Sequence, residues 1–320
     1  GRRSDMRMPS KGIVNRNQEV TFLFDSKPYK GFVGDTVASA LLANDVNLVG
    51  RSFKYHRPRG ILGIGSEEPN ALISVHKGGK IEPNVRATTQ EIYEGLIVTS
   101  QNSWPSLKFD ALAINDIIAP FFSAGFYYKT FMWPPRFWEA LYEPIIRRAA
   151  GLGKLESEPD VDNYDQNFAF CDLLIIGGGP SGLFSALLAG RAGLDVILVD
   201  ENPKFGGRLL FENTIIDGNH CLDWIQSCLG ELKSLKNVRL LSRATVFGIY
   251  DQGTFGVLER ISRHFQETES DTVLDCFWRI VASRSILASG AIERHIAFGN
   301  NDRPGIMMAS AVRGYLNQYG

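Results

Sequence analysis

The segment FCDLLIIGGGPSGLFSALLAGRAGLDVILVDENPKFGG, residues 170–207, constrains this chain more than any other. Leu173 to Ile176 form an uninterrupted apolar run, the mark of a strand buried on both faces. Three glycines follow at once, then a helical pattern from about Pro180 to Ala192 that Gly193 ends. Val196 to Val199 supply a second strand. Strand, glycine turn, helix and strand in this order specify a βαβ unit.

Gly177, Gly179 and Gly182 fit the pattern GxGxxG in that frame. Gly177 permits the tight turn, Gly179 lets a pyrophosphate approach the backbone, and Gly182 lets the helix pack against the strand. The N–H groups of the helix start, Ser181 among them, face an anion with the positive end of the helix dipole, and Pro180 loses nothing in this first turn. Asp200 lies 18 residues after Gly182, at the tip of VILVD, and Glu201 follows it. A carboxylate there accepts hydrogen bonds from ribose hydroxyls and repels a 2′-phosphate, which favours NAD or FAD over NADP. The glycine motif does not separate NAD from FAD. FGGRL places Gly206, Gly207 and Arg208 where flavoprotein-type folds return to the cofactor. Residues 238–250, 255–262 and 276–282 read as strands of a β-meander, and Gly290 follows a short apolar return strand.

The first hundred residues read differently. EVTFLF and YKGFV form a hairpin around DSKP. GDTVASALLAND is a helix with Asp35 as its expected N-cap. VGRSFKYHRPRGILGIGSEEPNAL, residues 49–72, is a loop rich in cations and glycine. ALISVHKGGKIEP is a hairpin turning at Gly78-Gly79, and EGLIVTSQN holds a late strand. The expected order is a lead over 1–18, a small α+β domain over 19–100, an aromatic helical connector and linker over 101–167 (its acidic end, 156–167, the linker), and a Rossmann-like domain over 168–320.

Net charge is −1, so no global field recruits nucleic acid, and no RRM, OB or helix-turn-helix signature accompanies the basic loop. Charges and the Pro134-Pro135 pair interrupt the aromatic connector before it reaches the about 20 apolar residues of a membrane span. The four cysteines, Cys171, Cys221, Cys228 and Cys276, form no CxxC pattern, which fits a reducing, cytoplasmic setting. Cys221 and Cys228 read as buried thiols on one helix face. His220, His264 and His295 have no partnered nucleophile, and no catalytic residue is assigned. The chain begins at Gly1 and stops within a helical pattern, and it reads as a fragment of a longer polypeptide.

The opening MRMPSKGIVNRNQEVTFLFDSKPYKGFVGDTVASALLANDVNLVGRSFKYHRPRGILGIGSEEPNALI resembles the α subunits of the heterotetrameric sarcosine oxidase family. So do AGFYYKTFMWPPRFWEALYEPIIRRAAGLG and LASGAIERHIAFGNNDRPGIMMASAVRGYL. The resemblance implies a ferredoxin-like β-grasp domain, here without a cluster, and a Rossmann-like FAD/NAD(P)-binding domain of the flavoprotein disulfide-reductase type. It implies a complex with β, γ and δ subunits that demethylates sarcosine to glycine. The products would be hydrogen peroxide and formaldehyde or methylenetetrahydrofolate. FAD would lie in the β subunit, FMN at the α/β interface, and tetrahydrofolate in a C-terminal domain absent from this sequence. NAD would be the cofactor of this chain. Gly177, Gly179, Ser181 and Gly182 would hold its pyrophosphate, Asp200, Glu201 and Asn202 would surround the ribose, Arg208 would lie near the phosphates, and Val246 would offer its backbone to adenine.

Relatives of the first domain include [2Fe–2S] proteins, which need C-x4-C-x2-C and a distant fourth cysteine. Residues 35–75 contain no cysteine, so a cluster is not expected and no metal site is assigned. The loop at 49–72 is expected to be a docking surface for its own subunit or a partner, resting on Arg57 and Arg59. Alternatives are a subunit of a related FAD-dependent amine, opine or amino-acid dehydrogenase, such as opine oxidase or hydrogen cyanide synthase, and a non-catalytic dinucleotide-binding scaffold.

Overall fold

The computed structural model describes residues 6–117, 133–144, 160, 162–265 and 272–320. Most of the aromatic connector lies outside the described residues. The chain forms two compact units. One comprises Gly1–Arg7, Val14–Pro159 and Arg294–Val312; the other comprises Met8–Ile13, Asp160–Glu293 and Arg313–Gly320.

In the first unit β1 (Asn15–Phe24) and β2 (Lys27–Val33) form a hairpin. Its two turn residues, Asp25 and Ser26, both have positive φ, of 47° and 63°, which matches the twist of the flanking strands. Helix α1 (Val37–Ala43) follows. Its N-cap is Thr36, not the expected Asp35: the Thr36 side chain accepts from the Ser39 N–H, and the Ser39 hydroxyl accepts from the Thr36 N–H. Asp35 is buried beside this cap. It accepts from the Phe32 N–H at 2.8 Å, the Ser39 hydroxyl at 2.8 Å and Arg7 Nη2 at 2.6 Å. Burial nonetheless holds its carboxyl above the ordinary aspartate range.

The loop at 49–72 contains only the two-residue pair β3 (Gly50–Arg51) and β4 (Pro58–Arg59). Strands β5 (Leu72–Lys77) and β6 (Lys80–Arg86) form the second hairpin, with Gly78 and Gly79 at φ 57° and 86°. Strand β7 (Ile97–Ser100) completes a five-stranded sheet of order β2-β1-β7-β5-β6, in which only β1 and β7 run parallel. Phe22, Phe24, Ile73 and Val98 of the sheet and Val37, Ala40 and Leu41 of α1 are buried. One-turn helix α2 (Ile114–Ile117) ends the described part of this segment.

The second unit opens with β8 (Asn163–Ile176), which starts within the stretch expected to be a linker. Helix α3 (Pro180–Arg191) and β9 (Val196–Val199) follow as expected. A small hairpin, β10 (Ile215–Ile216) and β11 (Asn219–His220), precedes α4 (Cys221–Ser234). The expected strand over 238–250 is two strands. β12 (Val238–Leu241) pairs with β9 at one edge of the sheet, and β13 (Ala244–Tyr250) lies at the opposite edge. Ser242 and Arg243 separate them, and Arg243 takes a φ of 54°, which turns the chain. β14 (Thr254–Arg260) and β15 (Val273–Leu287) complete the meander. The expected short return strand before Gly290 is the end of β15.

The six-stranded order is β12-β9-β8-β15-β14-β13, with the first four strands parallel. Leu183, Ala186, Leu187 and Gly190 line the buried face of α3 at helical spacing. With Cys221, Ile225, Cys228 and Leu232 of α4 and Ile175 and Leu198 of the sheet, the apolar members of that face form one core. Cys221 and Cys228 therefore share the buried helix face read from the sequence. A second core joins Leu174, Val199, Val257 and Ile280. Helix α5 (Ala309–Gly314) lies near the C-terminal end of the described chain.

Candidate dinucleotide site

The three glycines of the motif differ in what their missing side chains permit. Gly177 has a φ of 105°, and a Cβ there would stand 2.4 Å from the Ala288 carbonyl oxygen. A Cβ on Gly182 would stand 1.8 Å from the Gly177 carbonyl oxygen, so this glycine seats α3 on the turn that precedes it. Gly179 is the exception. Its φ of −72° and ψ of −173° suit any residue, and a Cβ there would meet nothing nearer than Gly207 Cα at 4.0 Å. Neither packing nor backbone strain within the chain requires glycine at 179.

Gly179 is also the N-cap of α3, with Pro180 in the first turn and no side-chain cap hydrogen bond. Ser181 is exposed beside it. In a helix start of this kind the first N–H groups have no intrahelical acceptor and point at whatever lies before them. The open approach at Gly179 and this helix terminus therefore form a cradle for an anionic group.

The second glycine turn belongs to the same place. The Gly206 N–H donates to the Gly178 carbonyl at 2.8 Å. A Cβ on Gly207 (φ 53°) would stand 2.9 Å from Gly179 Cα, so FGG lies against GGG by virtue of both glycines. Phe205 seals the other side: a Cβ on Gly178 would stand 2.3 Å from its ring. Gly178 and Phe205 lie outside the residues that the motif singles out; their sequence signal is the unbroken run of three glycines with Gly178 at its centre, and an aromatic one place before Gly206.

Asp200 directly follows β9 and is 7% exposed. Its Oδ2 accepts from the Gly178 N–H at 2.6 Å, and its Oδ1 accepts from the Asn202 N–H at 2.8 Å and from Asn202 Nδ2 at 3.0 Å. The carboxylate thus ties the phosphate turn to the end of β9, and Asn202 serves that tie. Glu201 is exposed, and its carbonyl accepts from Arg260 Nη2 at 2.7 Å. Arg208 is exposed and its guanidinium lies 3.6 Å from Glu212 Oε1. Val246 lies on β13 and packs against the second core. The structure joins Gly178, Asp200, Asn202 and Gly206 by hydrogen bonds and packs Gly177, Gly179 and Gly182 into the same turn. It gives Arg208 and Val246 no bond to these residues.

Comparison with known proteins places both units. A family model described as 2Fe-2S iron-sulfur cluster binding domain matches residues 17–103, and one described as FAD dependent oxidoreductase matches residues 172–249. The sarcosine oxidase subunit alpha of Rhizobium meliloti (strain 1021) is 57% identical over 99% of this chain, which spans 32% of that protein. The subunit of the same name from Corynebacterium sp. (strain U-96) is 35% identical over 96% of this chain, which spans 27% of it. This chain therefore covers about a third or less of the length of these relatives. Among solved structures, L-proline dehydrogenase from P. horikoshii is similar with a TM-score of 0.62 and 20% identity, covering 97% of this chain and 49% of that one. The two family matches give the fold, a ferredoxin-like domain followed by a domain of the FAD-dependent oxidoreductases, and the structural likeness agrees with it. No described helix is long and apolar enough to cross a membrane.

Proposed function

We propose that this chain, a homologue of sarcosine oxidase α subunits over 99% of its length, is the dinucleotide-binding part of a multisubunit, cytoplasmic enzyme that oxidises sarcosine. The observation that carries the dinucleotide reading is the cradle at Gly179, where glycine is present and the protein itself does not need it. A pyrophosphate seated there meets the N–H groups of Ser181 and Gly182 and the positive end of α3. Asp200 shapes the turn from beneath. Glu201, exposed at the end of β9, is the acceptor for the adenosine ribose and rejects a 2′-phosphate by charge.

NAD is the dinucleotide of this reading, from the resemblance of the whole chain to the sarcosine oxidase α subunits. FAD is the second reading, favoured by the family match over residues 172–249. Either supplies a hydride-accepting ring to the site when bound. This chain's residues bind and orient the dinucleotide, while amine oxidation belongs to FAD in the β subunit, FMN lies at the α/β interface, and the one-carbon unit leaves as formaldehyde or passes to tetrahydrofolate in a C-terminal folate-binding domain of the α subunit. Val246 contributes its backbone to the adenine edge, and Arg208 lies at the rim.

The test is to purify the chain alone, assay bound dinucleotide after acid release, and offer sarcosine under air. The expected result is retained or titratable NAD and no sarcosine-dependent peroxide. Peroxide formation by the chain alone would place the oxidation chemistry here and refute the division of labour.

A further inference from the structure

The first unit belongs to a fold whose family model is described by its iron–sulfur cluster, and its loop does not fit one. A plant-type cluster takes cysteines at i, i+5 and i+8 and a fourth far downstream. No register of that spacing in this loop meets a thiolate, and the register centred on Glu68 takes Gly63, Glu68 and Ala71. The four cysteines of the chain are all at or beyond position 171, in the other unit.

What occupies the loop is a carboxylate. Glu68 is fully buried. Its Oε2 accepts from the N–H groups of Leu62 at 2.8 Å and Gly63 at 2.6 Å. Its Oε1 accepts from those of Asn70 at 2.7 Å and Ala71 at 3.0 Å. Glu67 extends the arrangement, its Oε1 accepting from the Ile64 and Gly65 N–H groups at 2.7 and 3.1 Å. Six backbone donors of one loop therefore turn inward onto two carboxylates. Thr88, downstream and buried, closes the loop by donating its hydroxyl to the Gly65 carbonyl at 2.7 Å.

A cluster held by four thiolates presents a loop with a buried anion that backbone N–H groups surround. A buried carboxylate with four charge-assisted hydrogen bonds presents the same thing. We propose that Glu68 stands where the fold would hold its cluster and performs the cluster's structural task, organising the loop around a buried negative charge, with Glu67 as its auxiliary and Thr88 at the place of the fourth ligand. The first unit is then a scaffold built on a protein-derived anion rather than an iron–sulfur relay.

Two experiments on this chain test the proposal. In the first, amide hydrogen exchange is followed in Glu68→Gln and Glu67→Gln. An amide side chain offers one acceptor oxygen and turns a donor on the remaining N–H groups. Exchange at 62, 63, 70 and 71 should rise by about tenfold or more in Glu68→Gln, with 64 and 65 unaffected, and Glu67→Gln should show the converse. Wild-type exchange at 62, 63, 70 and 71 in Glu68→Gln would overturn the role of Glu68. The second experiment does not depend on that variant folding. Cysteines are placed at Gly63→Cys, Glu68→Cys, Ala71→Cys and Thr88→Cys, with Glu67→Ala to clear the position its carboxylate now crowds. The folded fraction is reconstituted anaerobically with iron and sulfide. Equal uptake of iron and acid-labile sulfide, absent from the wild-type chain treated identically, supports the placement. A folded variant that takes up neither would overturn it.

Discussion

Arg57 and Asp302, 245 positions apart in the sequence, meet as a two-pronged pair: Nε donates to Oδ2 at 2.8 Å and Nη2 to Oδ1 at 2.9 Å. Arg59 adds a second cation, with Nη1 at 2.9 Å from Oδ2. The basic loop, expected to dock its own subunit or a partner, grips a segment of its own chain within the first unit. Arg57 also lies 3.4 Å from Asp116 and bonds Asn300 Oδ1 at 3.1 Å. The first unit therefore includes a segment that follows β15 in sequence.

This pair gives the fold an acid-sensitive contact. Hydrogen bonding from Arg57, opposed by burial and assisted by both guanidiniums, pulls the Asp302 carboxyl from 3.8 down to about 2. A carboxyl with a depressed pKa stabilises the folded state above its unfolded value and loses that contribution as pH falls through the folded value. Asp302→Asn should lower the melting temperature at pH 7. The gap to wild type should narrow between pH 3.8 and about 2. Thermal unfolding of both proteins across that window checks it, and a gap independent of pH would contradict it.

Gly179→Ala and Gly182→Ala should behave oppositely although both replace motif glycines. The methyl group at 179 meets open space, so the melting temperature should stay near wild type. At 182 it collides with the Gly177 carbonyl and should cost about 1–3 kcal/mol or more. Denaturant unfolding of the two variants measures the contrast.

Asp200 and Glu201 should separate by the same logic. Asp200→Asn replaces one acceptor of the Gly178 or Asn202 donors by a donor and should destabilise the second unit by about 1–3 kcal/mol. Glu201→Gln should cost less stability than Asp200→Asn and should weaken dinucleotide binding. Equal loss of stability in both would refute the assignment of structural and ligand roles.

The thiols should be silent. All four cysteines are buried, and burial, aided by Asp172 and Asp195, raises the Cys171 thiol to about 11. A thiol-specific chromogenic reagent at pH 8 should find almost none in the native chain and all four after denaturation. Rapid labelling of the native chain would contradict the packing of both cores.

The βαβ unit was legible because glycine spacing and apolar runs are local signals. The β1–β2 and β5–β6 turns of the first unit were legible for the same reason, as short polar or glycine pairs between strands. The split of residues 238–250 was not, because apolar alternation continues across Ser242 and Arg243 and only sheet pairing separates β12 from β13. Asp200 read as a ribose ligand from its spacing, whereas its inward bonds to Gly178 and Asn202 depend on the backbone around it. The Glu67-Glu68 pair read as part of a polar loop. Adjacent carboxylates ordinarily face water, and nothing short of the folded loop aims six N–H groups at them.

The most direct test of the account is calorimetric titration of the purified chain and of Gly179→Ala with NAD+, NADP+ and FAD. The account predicts that NAD+ binds the wild-type chain in preference to NADP+ and FAD, and that Gly179→Ala weakens it by about tenfold or more while melting normally. Unchanged NAD+ affinity in a normally folded Gly179→Ala, or tight FAD binding with no response to NAD+, would contradict it.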